Sequence, residues 1–298
     1  MRNKLKKLIY CLIHDRRRIK IFLLYKFSRL YSDETFLKKL FKLRMGYKLN
    51  LDNPQTFNEK LQWLKLHNRK SVYTTMADKL SVKEYVANII GQEYIVPCFG
   101  IWERYKDIDF DVLPNQFAIK MTHNSSGAFL CKDKSSLDKS MLKQYIDTYF
   151  SKNYFWHLRE WPYKDVKPRI IAEELLNDNT GEVLRDYKFW CFNGKPTYMY
   201  CTVKGTDVYE NFYDMDFNPV EINHGFPRHL PEFNKPVQFD KMKSLAAQLS
   251  SNIPFVRVDF YEVNGNVYFG EFTFYDWGGM KPFVTYNQDL ELGRLIEL

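Results

Sequence analysis

The chain has 298 residues, 45% of them hydrophobic and 17% aromatic, enough for a sizeable core in more than one lobe. Five cysteines (Cys11, Cys98, Cys131, Cys191, Cys201) stand apart, odd in number and never as C-x-x-C. That excludes a zinc-finger spacing and a secreted disulfide framework and suits a reducing cytosol. The net charge of +8 is concentrated at the start, where residues 1–48 hold fifteen Lys/Arg against three Asp/Glu; the rest of the chain is mildly acidic.

The opening stretch, MRNKLKKLIYCLIHDRRRIKIFLLYKFSRLY, interleaves apolar and cationic residues. Its apolar runs reach about five or six residues, far short of the roughly 20 that span a bilayer and too short for a signal-peptide core. A basic amphipathic helical arm over residues 1–50 is expected. Two partners suit it: an anionic membrane surface, or the body of the protein itself with the Lys/Arg left in water. No nucleic-acid motif accompanies the charge, so nucleic acid is not an expected partner. Asp52-Asn53-Pro54 marks a break. FNEKLQWLKL (57–66) then reads as a helix capped near Thr56, with Phe57, Leu61 and Leu64 at helical spacing. DKLSVKEYVANIIG (78–91) reads as a helix ended by Gly91, and EYIVPCFGIW (93–102) as extended and buried. FAIKMTH (117–123) reads as a strand followed by the polar loop NSSGA, and residues 136–155 as a helix. Strands are expected over 169–176, 184–194 and 195–203, the last two joined at Asn193-Gly194, a hairpin signal. A helix over 241–253 precedes a second hairpin, VRVDFYEVNGNVYFGEFTF (256–274). The mixture suggests α+β lobes, divided here as 51–170 and 171–298.

That last hairpin carries two acids, Asp259 and Glu271, on otherwise aromatic strands. Two carboxylates held close repel unless they share a cation, and a hard cation such as Mg²⁺ takes such oxygens together with substrate phosphates. With a two-residue Asn264-Gly265 turn, Asp259 pairs with Gly270 and Glu271 faces the other side. A three-residue loop or a bulge is needed to bring the acids together; otherwise they are two solvent-facing acids on an amphipathic hairpin. Lys120, on a strand before the Gly/Ser-rich loop, suits a phosphate, although no Walker motif is present; a surface lysine beside an ordinary turn is the other reading. Lys188 lies on a strand with Trp190 on its face and Asp186 two residues earlier. His123 follows Lys120 closely and reads either as a contact for phosphate or acceptor or as a structural residue.

Six stretches in this order, FNEKLQWLK, MADKLSVKEYV, FAIKMTHNSSG, IIAEELL, DYKFWCFNGKP and RVDFYEVNGNVYFGEFTFYDWGG, resemble the TupA-like ATP-grasp family of bacterial surface-polysaccharide clusters. The resemblance covers roughly residues 50–298. It implies the ATP-grasp fold, two α+β lobes gripping ATP, with ATP and Mg²⁺ as cofactors. By position it implies Lys79 and Lys120 on the ATP phosphates under the loop of Asn124, Ser125, Ser126 and Gly127. It implies Glu173, with the backbone from Glu174 to Leu176, on adenine. Asp259 and Glu271 match the two Mg²⁺ acids, and Arg257 matches a cation at the reacting acyl centre. Thr273 stands where the superfamily often has Asn, and its hydroxyl can still bind Mg²⁺ or orient its water. Lys188 has no general counterpart and is read as group-specific.

The activity so implied is a carboxylate–amine ligase acting through an acyl phosphate, in capsular or cell-wall polysaccharide synthesis. Its substrate would be a small molecule or a lipid-linked glycan, and its place cytoplasmic, at the inner face of the bacterial plasma membrane. Two other classes compete. Asp214-Met215-Asp216 is a D-x-D, the pattern of some sugar-nucleotide glycosyltransferases, although YDMDFNP also reads as a hairpin turn. A non-catalytic binding protein that kept the fold is opposed by the presence of Lys79, Lys120, Asp259 and Glu271.

Overall fold

A computed structural model of the chain describes residues 16–125, 127–177, 184–204 and 208–298. Helices α1 (Arg16–Lys26) and α2 (Asp33–Met45) form the described part of the expected arm. α2 starts where the Ser32 hydroxyl accepts from the Thr35 amide and stops at Gly46, whose φ of 87° is the left-handed cap that glycine adopts without strain. Phe36, Leu37, Leu40 and Phe41 lie one turn apart and are all buried, against Leu24, Leu49, Leu51, Leu158 and Met280. α2 is therefore part of the body, while α1 is only half covered.

α3 (Phe57–His67) opens on a reciprocal cap between Thr56 and Glu59. α4 (Val72–Ala77) and α5 (Ser81–Ile90) follow, and α5 stops at Gly91. The first sheet contains β1 (Cys98–Trp102), β2 (Phe117–Met121), β3 (Phe129–Cys131) and β4 (Ile170–Glu174), in the antiparallel order β1-β4-β2-β3. Helix α6 (Lys139–Phe150) covers it through Leu142 and Ile146, packed on Phe117, Ile119, Ile170 and Ala172. β4, which begins at the expected division of 170/171, lies inside this sheet. One expectation changes here. The stretch 93–102 is not buried throughout: β1 is an edge strand with one partner, and Phe99 and Ile101 face solvent.

After the short helix α7 (Phe155–Leu158), the second sheet is built from β5 (Asp186–Phe192), β6 (Lys195–Lys204), β7 (Val208–Tyr213), β8 (Pro219–Val220), β9 (Phe255–Val263) and β10 (Asn266–Thr273). Its antiparallel order is β10-β9-β5-β6-β7-β8. Helix α8 (Phe239–Leu249) buries Phe239, Met242, Leu245 and Leu249 on one of its faces. Helix α9 (Tyr286–Arg294) meets α3, where Asp289 accepts from the Asn58 amide at 2.9 Å. Phe57 of α3 stacks on Trp190 at 5.1 Å, so the helix and the sheet share one aromatic core.

Both expected hairpin turns form. Asn193 and Gly194 (φ 49° and 80°) join β5 to β6, and Asn264 and Gly265 (φ 51° and 78°) join β9 to β10. Positive φ at both central residues matches the twist of the flanking strands. Val263 pairs with Asn266, so the second turn has two residues. The register holds to Phe269 opposite Phe260 and resumes with Phe272 opposite Val258. Gly270 and Glu271 together oppose Asp259, which is a β-bulge. The extra residue returns Glu271 to the face of Asp259. Gly270 also lets the strands approach: a Cβ there would lie 3.1 Å from the Asp259 carbonyl oxygen and 3.2 Å from the Tyr261 ring.

Candidate active site

Register sets the polar row. Tyr200 of β6 lies opposite Lys188 of β5, and Lys188 opposite Asp259 of β9. The bulge adds Glu271 of β10, so four adjacent strands deliver four polar groups to one face. Asp259 is 1% exposed and needs charge partners at that depth. Arg257 supplies two donors: Nε reaches Asp259 Oδ1 at 2.7 Å and Nη2 reaches Oδ2 at 2.6 Å. The same Nη2 lies 3.1 Å from Glu271 Oε1. Nη1 reaches Asp276 Oδ1 at 2.6 Å and the Tyr200 hydroxyl at 3.1 Å. The Lys188 ammonium touches Asp186 and lies 3.4 Å from Asp259 Oδ2. Burial alone would weaken the Arg257 charge, but Asp259, Tyr200 and Asp276 outweigh it and hold its pKa well above the ordinary value.

The facing lysines come from the other side of the molecule. Asp78 lies in the turn between α4 and α5, accepting from the Leu80 amide at 3.1 Å and the Ser81 hydroxyl at 2.7 Å, and it pairs with Arg169 at 2.6 Å. That turn sends out Lys79, whose amide donates to the Thr122 carbonyl beside β2 at 3.0 Å. The Lys79 ammonium donates to the Asn124 carbonyl at 2.8 Å and lies 3.7 Å from Glu271 Oε2. One turn further on, Lys83 reaches Glu173 Oε1 at 2.6 Å, and Lys120 of β2 reaches Glu173 Oε2 at 2.6 Å. Lys79 thus joins the loop after β2 to the carboxylate row of the second sheet.

Burial raises the pKa of Glu173 and of Glu271, yet cations outweigh it in both: Lys120 and Lys83 for the first, Lys79 and Arg257 foremost for the second. Both therefore sit below the ordinary carboxylate value when folded. Carboxylates lowered in this way stabilise the fold fully above their unfolded pKa and cease to as pH falls through the folded one. The ligand-free protein is accordingly expected to lose melting temperature below about pH 4.3. Glu173→Gln should flatten that slope in a pH series of thermal unfolding, and a slope equal to wild type would contradict the pairing.

The remaining sequence-predicted residues fall as follows. Ser125 and Gly127 lie in the exposed connection after β2, with the Gly127 carbonyl accepting from the Tyr145 hydroxyl at 3.1 Å; Ser126 lies outside the described residues. Glu174 ends β4, its amide bonded to the Pro97 carbonyl at 3.0 Å, and Leu176 lies in the connection to the second sheet. Thr273 lies beside the acids, its hydroxyl 3.4 Å from Glu271 Oε1. His123 is buried edge-on against Phe150, with rings 5.7 Å apart, and burial pulls its pKa below the ordinary value. No hydrogen bond or ion pair among the described residues joins His123 to the carboxylate row.

Sequence reasoning missed Lys83, Tyr200 and Asp276. Lys83 had a signal: it follows Lys79 by four residues in the stretch 78–91 read from the sequence as one helix, a spacing that puts two side chains on one face. Asp276 opens the turn Asp276–Gly279, where Trp277, Gly278 and Gly279 all have positive φ. α3 clamps that turn: Gln62 donates to the Gly279 carbonyl at 2.7 Å, and Lys65 to the Gly278 carbonyl at 2.6 Å. The Lys65 ammonium also reaches Gln62 Oε1 and the Leu158 carbonyl, although burial lowers its pKa to about 7. This gives a reason for the FNEKLQWLK stretch, which holds Asp276 against Arg257 from behind.

A divalent cation fits this donor set. Asp259 and Glu271 already converge on one cationic nitrogen, and every donor is oxygen, which suits Mg²⁺. Among the described residues, no group of three or more His, Cys, Asp or Glu could hold a metal ion by itself. Two carboxylates completed by phosphate and water oxygens is the ordinary Mg²⁺ arrangement. Asp214, by contrast, caps the turn between β7 and β8. Its Oδ1 accepts from the amides of Asp216 and Asn218 at 2.9 and 2.8 Å, and its Oδ2 from the Asn218 side chain at 3.0 Å.

Comparison with solved structures gives D-alanine–D-alanine ligase from Bacillus anthracis complexed with ATP, at 14% identity and a TM-score of 0.40, covering 67% of this chain and 55% of that one. The Helicobacter pylori D-alanine–D-alanine ligase is 12% identical, with a TM-score of 0.43 and coverage of 81% and 69%. The ATP-grasp ligase PsnB complexed with minimal precursor is 8% identical, with a TM-score of 0.42 and coverage of 75% and 61%. The chain thus spans little more than half the length of the first of these. No curated protein sequence matches. The family model for TupA-like ATPgrasp matches residues 59–297, about four fifths of the chain. The protein belongs to the TupA-like ATP-grasp family and has the α+β ATP-grasp fold.

Proposed function

We propose that the protein is an ATP-dependent carboxylate–amine ligase that works through an acyl phosphate, in the assembly of a capsular or cell-wall polysaccharide. The observation that carries this reading is the bulge at Gly270–Glu271. It sets two carboxylates beside Arg257 and within reach of Lys79, while Lys120 flanks the same cleft. Phosphoryl transfer needs positioning and charge neutralisation more than covalent help from the protein. The substrate carboxylate oxygen bonds to the γ-phosphorus as the β–γ P–O bond breaks, giving acyl phosphate and ADP. The amine nitrogen then bonds to the acyl carbon, inorganic phosphate departs, and the amine proton passes to solvent.

Each side chain has a part. Lys79 and Lys120 offset phosphate charge. Glu173, which pairs with Lys83 and Lys120, would accept from the adenine amino group, and the main chain from Glu174 to Leu176 would complete the adenine contacts. Asp259 and Glu271, with Thr273 beside them, would hold Mg²⁺, which when bound neutralises the phosphates. Arg257 is held by Asp259 through Nε and Nη2 and by Asp276 and Tyr200 through Nη1, and would set its fixed positive charge beside the acyl centre. Lys188, 3.4 Å from Asp259 Oδ2, would fix the direction of that carboxylate. The D-x-D of a glycosyltransferase has no such support, since Asp214 is a turn cap.

The test is turnover with ATP, Mg²⁺ and paired uronic acids and amino acids. ADP and phosphate formed in step with an amide support the reading. AMP as product, or no nucleotide consumption together with binding of a sugar nucleotide, would overturn it.

A further inference from the structure

The apolar residues of α1 divide between two sides. Leu24 is buried and Ile21 and Tyr25 pack inward with it against the α2 core. Phe22, Leu23, Phe27 and Leu30 point the other way, 57%, 45%, 44% and 80% exposed. At 3.6 residues per turn, Arg16, Lys20, Leu23 and Phe27 form one strip, and Ile19, Phe22 and Lys26 the strip beside it. The solvent side of this helix is therefore an apolar band set among cations. Where α1 passes the end of α2, Arg16, Arg17, Lys20 and Lys42 line a cavity of about 350 Å³ with Leu43 and Gly46. The acids of α2 do not neutralise it: Asp33 pairs with Arg69 and Arg159, and Glu34 with Lys38. No described helix is long and apolar enough to cross a membrane.

We infer that this face is a docking surface for an anionic lipid bilayer: the apolar band enters the boundary between headgroups and acyl chains, and the cavity takes a lipid phosphate. A helix with aromatic and aliphatic residues on one side and flanking Lys/Arg lies in the membrane plane in this way, with each cation gaining about 1 kcal/mol near an anionic surface. A second copy of the chain is the poorer occupant, because it would set Arg16, Arg18, Lys20 and Lys26 of two molecules against each other. The inference does not rest on the proposed reaction.

The experiment is flotation of the full chain with phosphatidylcholine vesicles, with and without about one third phosphatidylglycerol. Binding is expected on the anionic vesicles and should weaken as salt is raised. Leu23→Ser, Phe27→Ser and Leu30→Ser combined should reduce it at least tenfold, and Arg16→Gln, Lys20→Gln and Lys42→Gln combined about a hundredfold. Both variants should melt within a few degrees of wild type, because none of the changed side chains is buried. Equal flotation of either variant and wild type, equal binding to neutral vesicles, or stabilisation by inorganic phosphate without vesicle binding would overturn the inference. So would a wild-type dimer, in vesicle-free solution, that the serine variant turns into a monomer.

Discussion

Replacing Glu271 with Gln is expected to lower ATP turnover by about 10³-fold while leaving the ligand-free protein within about 1 kcal/mol of wild-type stability. The two effects separate because the Glu271 side chain is one third exposed at the cleft, whereas the work assigned to it needs its charge. In the ligand-free protein it faces Lys79 and Arg257, so the amide leaves the site more positive by one charge. ATP without a divalent ion should then raise the melting temperature of the variant at least as much as that of wild type. Added Mg²⁺ should increase the shift in wild type and not in the variant. An unchanged Mg²⁺ increment would remove Glu271 from the metal site.

Arg257→Ala is expected to have the largest effect on stability. The guanidinium holds both oxygens of Asp259 and one of Asp276, two carboxylates with almost no exposure. Removing one partner of a buried ion pair destabilises by about 3–5 kcal/mol, because the remaining charges stay buried and uncompensated. Arg257→Lys keeps the charge but cannot present the planar fork to Asp259 while also reaching Asp276 and Tyr200. It should fall between wild type and Ala in urea unfolding, and its turnover should fall as far as that of Ala. A wild-type midpoint for Arg257→Ala would mean that other groups carry the network.

Much of this arrangement is legible in the sequence, for identifiable reasons. Asn-Gly at 193–194 and 264–265 marks both turns, because each turn demands two residues at positive φ. Thr56 and Glu59 mark the start of α3 through a cap that is local in sequence. The acids could be named as a pair, but their meeting could not be read from alternation. Alternation with a two-residue turn puts Glu271 on the wrong side, and only the bulge corrects it. Gly270 was the one trace of that bulge. Groups that act across long separations left no local pattern: Tyr200 and Asp276 reach Arg257 through sheet register and a clamped turn. The edge position of β1 was hidden for a similar reason, since Phe99 and Ile101 look like core until strand order is known.

The most direct test of the central claim is to locate the metal. Crystals grown with Mn²⁺ and a non-hydrolysable ATP analogue would show the ion by its anomalous scattering. Mn²⁺ is expected about 2.2 Å from carboxylate oxygens of both Asp259 and Glu271, with the Lys79 and Lys120 ammoniums against the phosphates. Mn²⁺ bound at Asp214 or Asp216, or held by phosphates with neither Asp259 nor Glu271 as a ligand, would contradict it.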